Sequence, residues 1–127
     1  MSESQQQATV VEYFNLKYKE YKIHSIPNGT HIKSHQGRNK AKREGLLSGV
    51  SDLFIPVPRG QYHGFYLEMK DIGKKIKDVT PRQKEFIIYA RWQGYWSDWF
   101  NSADKAIKAI DDYMNMRCED EDRSKRK

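Results

Sequence analysis

The chain is 127 residues long, one domain's length, with Lys+Arg 23 against Asp+Glu 17 and a formal charge of +6. No apolar run approaches the ~18–20 residues that cross a bilayer as a helix, and the single Cys118 excludes an internal disulfide and a multi-cysteine zinc site. The N-terminal MSESQQQATVVEY has neither the basic nor the apolar part of a secretory signal, so a reducing cytoplasm is the expected location and a polyanion, most simply nucleic acid, the expected partner.

A helix is predicted from about Glu3 to Lys19, where Glu3, Gln7, Val10, Val11, Phe14 and Tyr18 recur at helical spacing and are expected to share one inward stripe. YKIHSI reads as a short strand closed by the turn signal Pro27-Asn28-Gly29. The most basic stretch follows, with Lys33, Arg38, Lys40, Lys42 and Arg43 and no acid until Glu44. An exposed loop running into a short helix from Asn39 to Leu47 is expected there. His31 and His35 have the spacing of a helical metal pair, but no third ligand joins them, and a zinc site takes three or four.

Beyond Ser51 the pattern changes period. Leu53, Ile55 and Val57 alternate with Asp52 and Phe54; Phe65, Leu67 and Met69 alternate with Tyr66, Glu68 and Lys70. That is the signature of two half-buried strands, joined here by PRGQYHG. Pro56 and Pro58 cannot donate to a ladder and mark the end of the first strand. After the polar connector DIGKKIKDV, Thr80 as N-cap, Pro81 at N1 and Gln83 at N3 make a capping box for a helix that Gly94 terminates. Its inner stripe is Gln83, Phe86, Ile87 and Ala90. YWSDWF reads as a strand, and Ser102 caps a last helix with Ala103, Ala106, Ile107, Ile110 and Met114 on one face.

Residues 1–116 are expected to form one domain, and the charged tail 117–127 to lack fixed structure. The order of elements makes this an α/β fold, a small mixed central sheet flanked by helices. Trp92, Trp96, Trp99 and Phe100 exceed what one small core needs, so some are expected on an exposed patch that a second subunit covers. Asp98, unusual in a strand, is expected to find its polar partner across that interface.

The chemistry-bearing residues concentrate in the hairpin. Glu68 and Lys70 are two residues apart on one strand, so their side chains leave the same face, and Asp52 falls opposite them on the neighbouring strand. One reading is a solvated cross-strand ion pair, worth roughly 0.2–1 kcal/mol. The flanking Val50, Leu53, Phe65 and Leu67 argue for a central strand pair, where charges are costly unless paired or metal-bound. The second reading is a divalent metal site for phosphodiester cleavage, with Asp52, Glu68 and the Met69 carbonyl as hard oxygen donors and Lys70 beside the attacking water or the phosphate.

Asp52 followed by Glu68-Met69-Lys70 resembles the D…(D/E)-x-K core of the PD-(D/E)XK nucleases. The stretch from Gly49 to Gly60, Tyr62-His63-Gly64, Leu67 to Lys70, and Thr80-Pro81-Arg82-Gln83-Lys84 leading to Gln93-Gly94-Tyr95 are similar to the VRR-NUC branch of that superfamily. The resemblance runs from about Glu3 to Met114. It implies a restriction-endonuclease-like fold with a four-stranded mixed sheet, and DNA cleavage with Mg²⁺ or Mn²⁺. Asp52, Glu68 and Glu3 would be the metal-binding acids, Lys70 the catalytic lysine, and Gln7 and Gln83 supporting glutamines. Glu12 is the alternative to Glu3, and Gln83 has its capping role as an equal reading. The branch usually has proline where this chain has Ser51, a change expected to alter rigidity rather than activity.

Members made of this domain alone, from phages and bacteria, are homodimers that cut four-way DNA junctions. The resemblance thus implies a homodimeric Holliday-junction resolving enzyme in a bacterial or phage-infected cell. Embedded versions act on flaps and other branched DNA, and a catalytically silent DNA-binding module or a basic interaction protein are the remaining readings. Lys33, Arg38, Lys40, Lys42, Arg43, Arg59, Lys74 and Lys75 are the expected phosphate contacts.

Overall fold

The computed structural model describes residues 2–27, 29 and 32–117. His31 of the histidine pair, Asn28 of the predicted turn and the tail from Cys118 onward lie outside the described residues. Helix α1 (Glu3–Lys17) begins at Ser2, whose hydroxyl accepts from the Gln5 N–H while the Gln5 side chain accepts from the Ser2 N–H. Then come β1 (His24–Ser25), α2 (His35–Arg43), β2 (Leu53–Ile55), β3 (Phe65–Met69), a 3-10 turn at Ile76–Asp78, α3 (Pro81–Trp92), β4 (Trp96–Phe100) and α4 (Ala103–Met114).

Several boundaries differ from expectation: α1 stops at Lys17 and α2 at Arg43, both short of the predicted Lys19 and Leu47. Helix α2 starts four residues before Asn39, because the Ser34 hydroxyl accepts from the Gly37 N–H and caps it there. The strand in YKIHSI is only two residues long, pairing His24 with Phe54 and Ser25 with Leu53. The α3 capping box is as the sequence predicts: Thr80 Oγ accepts from Gln83 N–H and Gln83 Oε1 from Thr80 N–H.

The sheet runs β1-β2-β3-β4, with the first three strands antiparallel and β3 parallel to β4 through the α3 crossover. Strands β2 and β3 are therefore interior. Leu53, Ile55, Phe65, Leu67 and Met69 point to one face and bury against Val10 and Phe14 of α1 and Ala106, Ile110 and Tyr113 of α4. Each such large side chain contributes about 1.5–3 kcal/mol through its removal from water.

The inward side of α1 is Gln6, Val10 and Phe14. Glu3 and Gln7 lie around the helix from this stripe and face a cleft instead of the core, which corrects the single-stripe expectation. Gln6 is the buried glutamine: its Oε1 accepts from Ala103 N–H at 2.6 Å and its amide donates to Asn101 O at 3.2 Å. It thereby satisfies an orphan donor at the start of α4 and fixes α1 against it.

The surplus aromatics divide. Trp96 stacks on Phe65 with centroids 5.0 Å apart, and with Phe100 it packs onto the core. Trp92 is 85% exposed, in line with an uncovered patch on α3. Asp98 has a polar partner within its own chain: Arg91 Nη2 stands 3.5 Å from it, and it accepts from the Trp99 N–H.

Candidate active site

The site is built where β2 begins and β3 ends. The Leu53–Leu67 register puts Asp52 beside Glu68, on the face opposite Leu53 and Leu67. Main-chain bonds hold both flanks: Ile26 N–H donates to Asp52 O at 2.9 Å, and Lys70 N–H donates to Phe100 O at 2.8 Å. The approach to Asp52 is fixed by a turn at Gly49 (φ +88), where a Cβ would sit 2.5 Å from the Arg82 carbonyl oxygen. Only glycine lets this loop lie so closely on the first turn of α3. The neighbouring Ser51 is buried, and its hydroxyl has no hydrogen-bond partner among the described residues. An apolar side chain suits that pocket better, in keeping with the proline the resemblance leads one to expect.

The two acids are laced together through the backbone. Asp52 Oδ2 accepts from Met69 N–H at 2.7 Å, and Glu68 Oε2 accepts from Asp52 N–H at 3.2 Å. Glu68 is 1% exposed and Lys70 9%. Lys70 Nζ is 3.9 Å from Glu68 Oε1, the outer limit of an ion pair and beyond hydrogen-bond reach. Burial, and after it the charge of Asp52, push the Glu68 carboxyl up to about 8. Burial also raises Asp52, against the opposing pull of its hydrogen bonds from Met69 and Glu68 and of the Lys70 charge. Two carboxyls raised side by side in this way resist ionising together.

Glu3 joins this field from the first turn of α1. Its carboxyl is raised by partial burial first and by Asp52 second, with Lys70 acting in the opposite sense. A cleft of about 890 Å³ opens between α1 and the sheet edge, lined by Glu3, Gln7, Glu12, His24, Ser25 and Asp52 among others. The structure thus brings Glu3, Asp52, Glu68 and Lys70 into one electrostatic neighbourhood, with Gln7 and the alternative Glu12 on the same cleft. Met69 contributes main chain alone, since its side chain is buried in the core.

Gln83 has its side-chain oxygen engaged in the α3 cap. Lys74 acts on the Glu3 carboxyl and so belongs to the rim of the acidic site. Lys75 is exposed, its N–H bonded to Asp78. Lys33, Lys40, Lys42 and Arg43 are exposed, and α2 buries none of its residues. Arg38 is exposed but folds back on the Ile32 and Lys33 carbonyls.

Arg59 is the correction in this set. It is 9% exposed, donates to the Met114 and Pro58 carbonyls at 3.2 and 2.8 Å, and lies over the Tyr21 ring. It braces the end of α4 and is not offered to a phosphate.

Asp71 was missed by sequence reasoning. It follows Lys70 directly, acts on Glu3, and its Oδ1 is buried with no hydrogen-bond partner among the described residues. Its position next to the E-x-K triplet was the available signal, but it opens a polar connector and reads as loop.

Among the described residues no three His, Cys, Asp or Glu side chains form a ready metal cage. Asp52 and Glu68 are the inner pair, with Glu3 outside it. The donor set still fits Mg²⁺ or Mn²⁺: hard oxygens, two carboxylates and room for retained waters, as such ions take. A buried acid pair that cannot ionise fully by itself is the complement of a divalent cation.

No family model matches the sequence, and no curated protein matches it. Among solved structures the chain is similar to one described as a "VRR_NUC domain protein", at 28% identity and a TM-score of 0.79, covering 93% of this chain and 92% of that one. The mixed sheet, the acid pair with its lysine on two interior strands, and this likeness over nearly the full chain support a VRR-NUC nuclease domain with a PD-(D/E)XK-like fold.

Proposed function

We propose that the chain is a metal-dependent, structure-selective DNA endonuclease, that it works as a homodimer, and that four-way junctions are its preferred substrate. The observation that carries this reading is the pair of half-buried Asp52 and buried Glu68 with Lys70 against it, at the mouth of an acidic cleft. Asp52, Glu68 and the Met69 carbonyl would hold Mg²⁺ or Mn²⁺. When bound, such an ion supplies an acidified water and positive charge opposite the phosphate. Lys70 orients the attacking water or meets the charge that grows on the phosphoryl oxygens, from a position where little water screens it. Glu3 completes the acidic lining.

The formal charge of +6 and the exposed cations of α2, with Lys33, Lys74 and Lys75, supply a backbone-binding surface. Two sites related by a two-fold axis match the symmetry of a four-way junction.

The test is a panel of labelled junction, flap and linear duplex with Mn²⁺, then with EDTA. Junction cutting that EDTA stops is expected, and Lys70→Ala should slow it by about 10²–10³-fold while DNA binding persists. Cutting by Lys70→Ala at the parent rate would remove Lys70 from the mechanism. DNA retention with no metal-dependent product would make the chain a binding module instead.

A further inference from the structure

On the sheet face that carries Asp52 and Glu68, an aromatic row runs across the strands. His24, Phe54 and Tyr66 are successive cross-strand neighbours: His24 meets Phe54 edge-on at 5.8 Å, and Phe54 stacks on Tyr66 at 4.3 Å. Tyr66 then meets Phe86 of α3 at 5.1 Å and Tyr95 at 5.3 Å. Alternation on the pleat puts Phe54 two residues from Asp52, and Tyr66 two residues from Glu68, on one face.

The row ends in a hollow of about 260 Å³ lined by Tyr66, Phe86, Tyr89, Ala90, Gln93 and Tyr95. A second hollow of about 280 Å³ shares Phe86 and Tyr89 with it and adds Leu47, Ser48 and the cationic Arg82. This second hollow touches the loop that leads into Asp52. Tyr89, between the two, is 58% exposed, far more than packing requires.

We propose that this hollow receives an unpaired nucleobase of the DNA strand that lies in the catalytic cleft, stacked on the Tyr89 ring, with Arg82 toward the adjoining phosphate. Three features favour a base over another occupant. The walls are aromatic faces, and every base has a π-face to lay on them. The Gln93 amide at the rim offers a donor and an acceptor to a base edge. Tyr66 in its wall leaves the same sheet face as Glu68, two residues along β3, so a strand at the acids passes near it. The inference rests on the nuclease reading and deepens it: a branch point supplies unstacked bases, and a continuous duplex does not. Selection of branched DNA then has a physical basis in this chain.

Photocrosslinking tests it, using the full-length chain in EDTA so that no strand is cut. A four-way junction and a flap carrying 5-iododeoxyuridine at the branch point are compared with a duplex carrying it mid-helix. Crosslinks are expected from the branched DNAs on the peptide holding Tyr89 or Tyr95, and not from the duplex. Tyr89→Ala should weaken binding of the branched DNAs by about 5- to 100-fold and leave duplex binding unchanged, while Tyr89→Phe keeps parent affinity.

Equal affinity of Tyr89→Ala and parent for branched DNA, with Mn²⁺-dependent cutting intact, would overturn the base pocket and leave the nuclease reading standing. Crosslinks confined to the α2 region would do the same. A dimer that dissociates on Tyr89→Ala would give this surface to a second copy and also overturn the proposal. Failure of every DNA to bind would remove both readings.

Discussion

Acids at two places in this molecule have opposite fates. At the junction of α1 and α4, Asp111 receives the Tyr13 hydroxyl at 2.7 Å, the Tyr18 hydroxyl, and Lys17 Nζ at 3.1 Å. Those bonds, from Tyr18 foremost, outweigh its partial burial and hold the Asp111 carboxyl below its ordinary range. At the mouth of the sheet, Asp52 and Glu68 each accept one backbone N–H, sit against each other, and have Lys70 only at 3.9 Å. Both are raised. An acid ringed by donors is a brace between helices; two acids buried together with too few donors are a place for a proton or a cation.

The largest expected difference between the clusters is in catalysis. Asp52→Asn or Glu68→Gln should reduce metal-dependent cutting by more than about 10³-fold, because each removes a hard anionic donor, and the far-UV spectrum should stay that of the parent. Asp111→Asn should cut at the parent rate and lose about 1 kcal/mol of stability in urea titration, as the tyrosine hydroxyls lose a charged acceptor. Equal loss of activity in both would erase the distinction.

A second, smaller contrast lies in pH. Glu68 stands at about 8 in the folded chain against an ordinary 4.5, so folding takes up a proton between these values. Its contribution to stability is therefore present at low pH and lost as pH rises through about 8. Asp111 is lowered from 3.8, so its contribution is present above that value and lost as pH falls through the lowered one. Thermal melts in EDTA should show Tm declining between pH 5 and 8. Glu68→Gln, or excess Mn²⁺, should flatten that decline, and Asp111→Asn should leave it in place while flattening the acid limb. A decline that survives Glu68→Gln unchanged would place the buried proton elsewhere.

The smallest effects separate the cations. Arg59→Ala should lower stability by about 1–3 kcal/mol, since the buried Met114 carbonyl and the Pro58 carbonyl lose their donor, with no change in the salt dependence of DNA binding. Lys40→Ala should leave the urea midpoint in place and reduce the salt slope of junction binding by about 1. The reverse pattern would restore Arg59 to the DNA surface.

Local rules carried much of this structure. The Thr80–Gln83 box, the period-two runs on either side of PRGQYHG and the Ser102 cap depend on neighbours within four residues, so the sequence alone located α3, β2, β3 and α4. The Asp52–Glu68–Lys70 arrangement was readable for a related reason: a hairpin register of two interior strands brings those positions together whatever surrounds them. The span of β1 and the start of α2 were less accessible, because two-residue pairing and a single serine cap leave little pattern.

What the sequence by itself determined is the order of elements and the membership of the hairpin site, because both follow from short-range periodicity and capping. Tertiary structure alone decided which glutamine of α1 faces inward, that Arg59 is a buried brace, that Asp98 pairs with Arg91 within the chain, and that Asp71 adjoins the acids. Each of those depends on the rotation of one element against a distant one. Such rotations are set by packing of the whole core, and no local pattern encodes them.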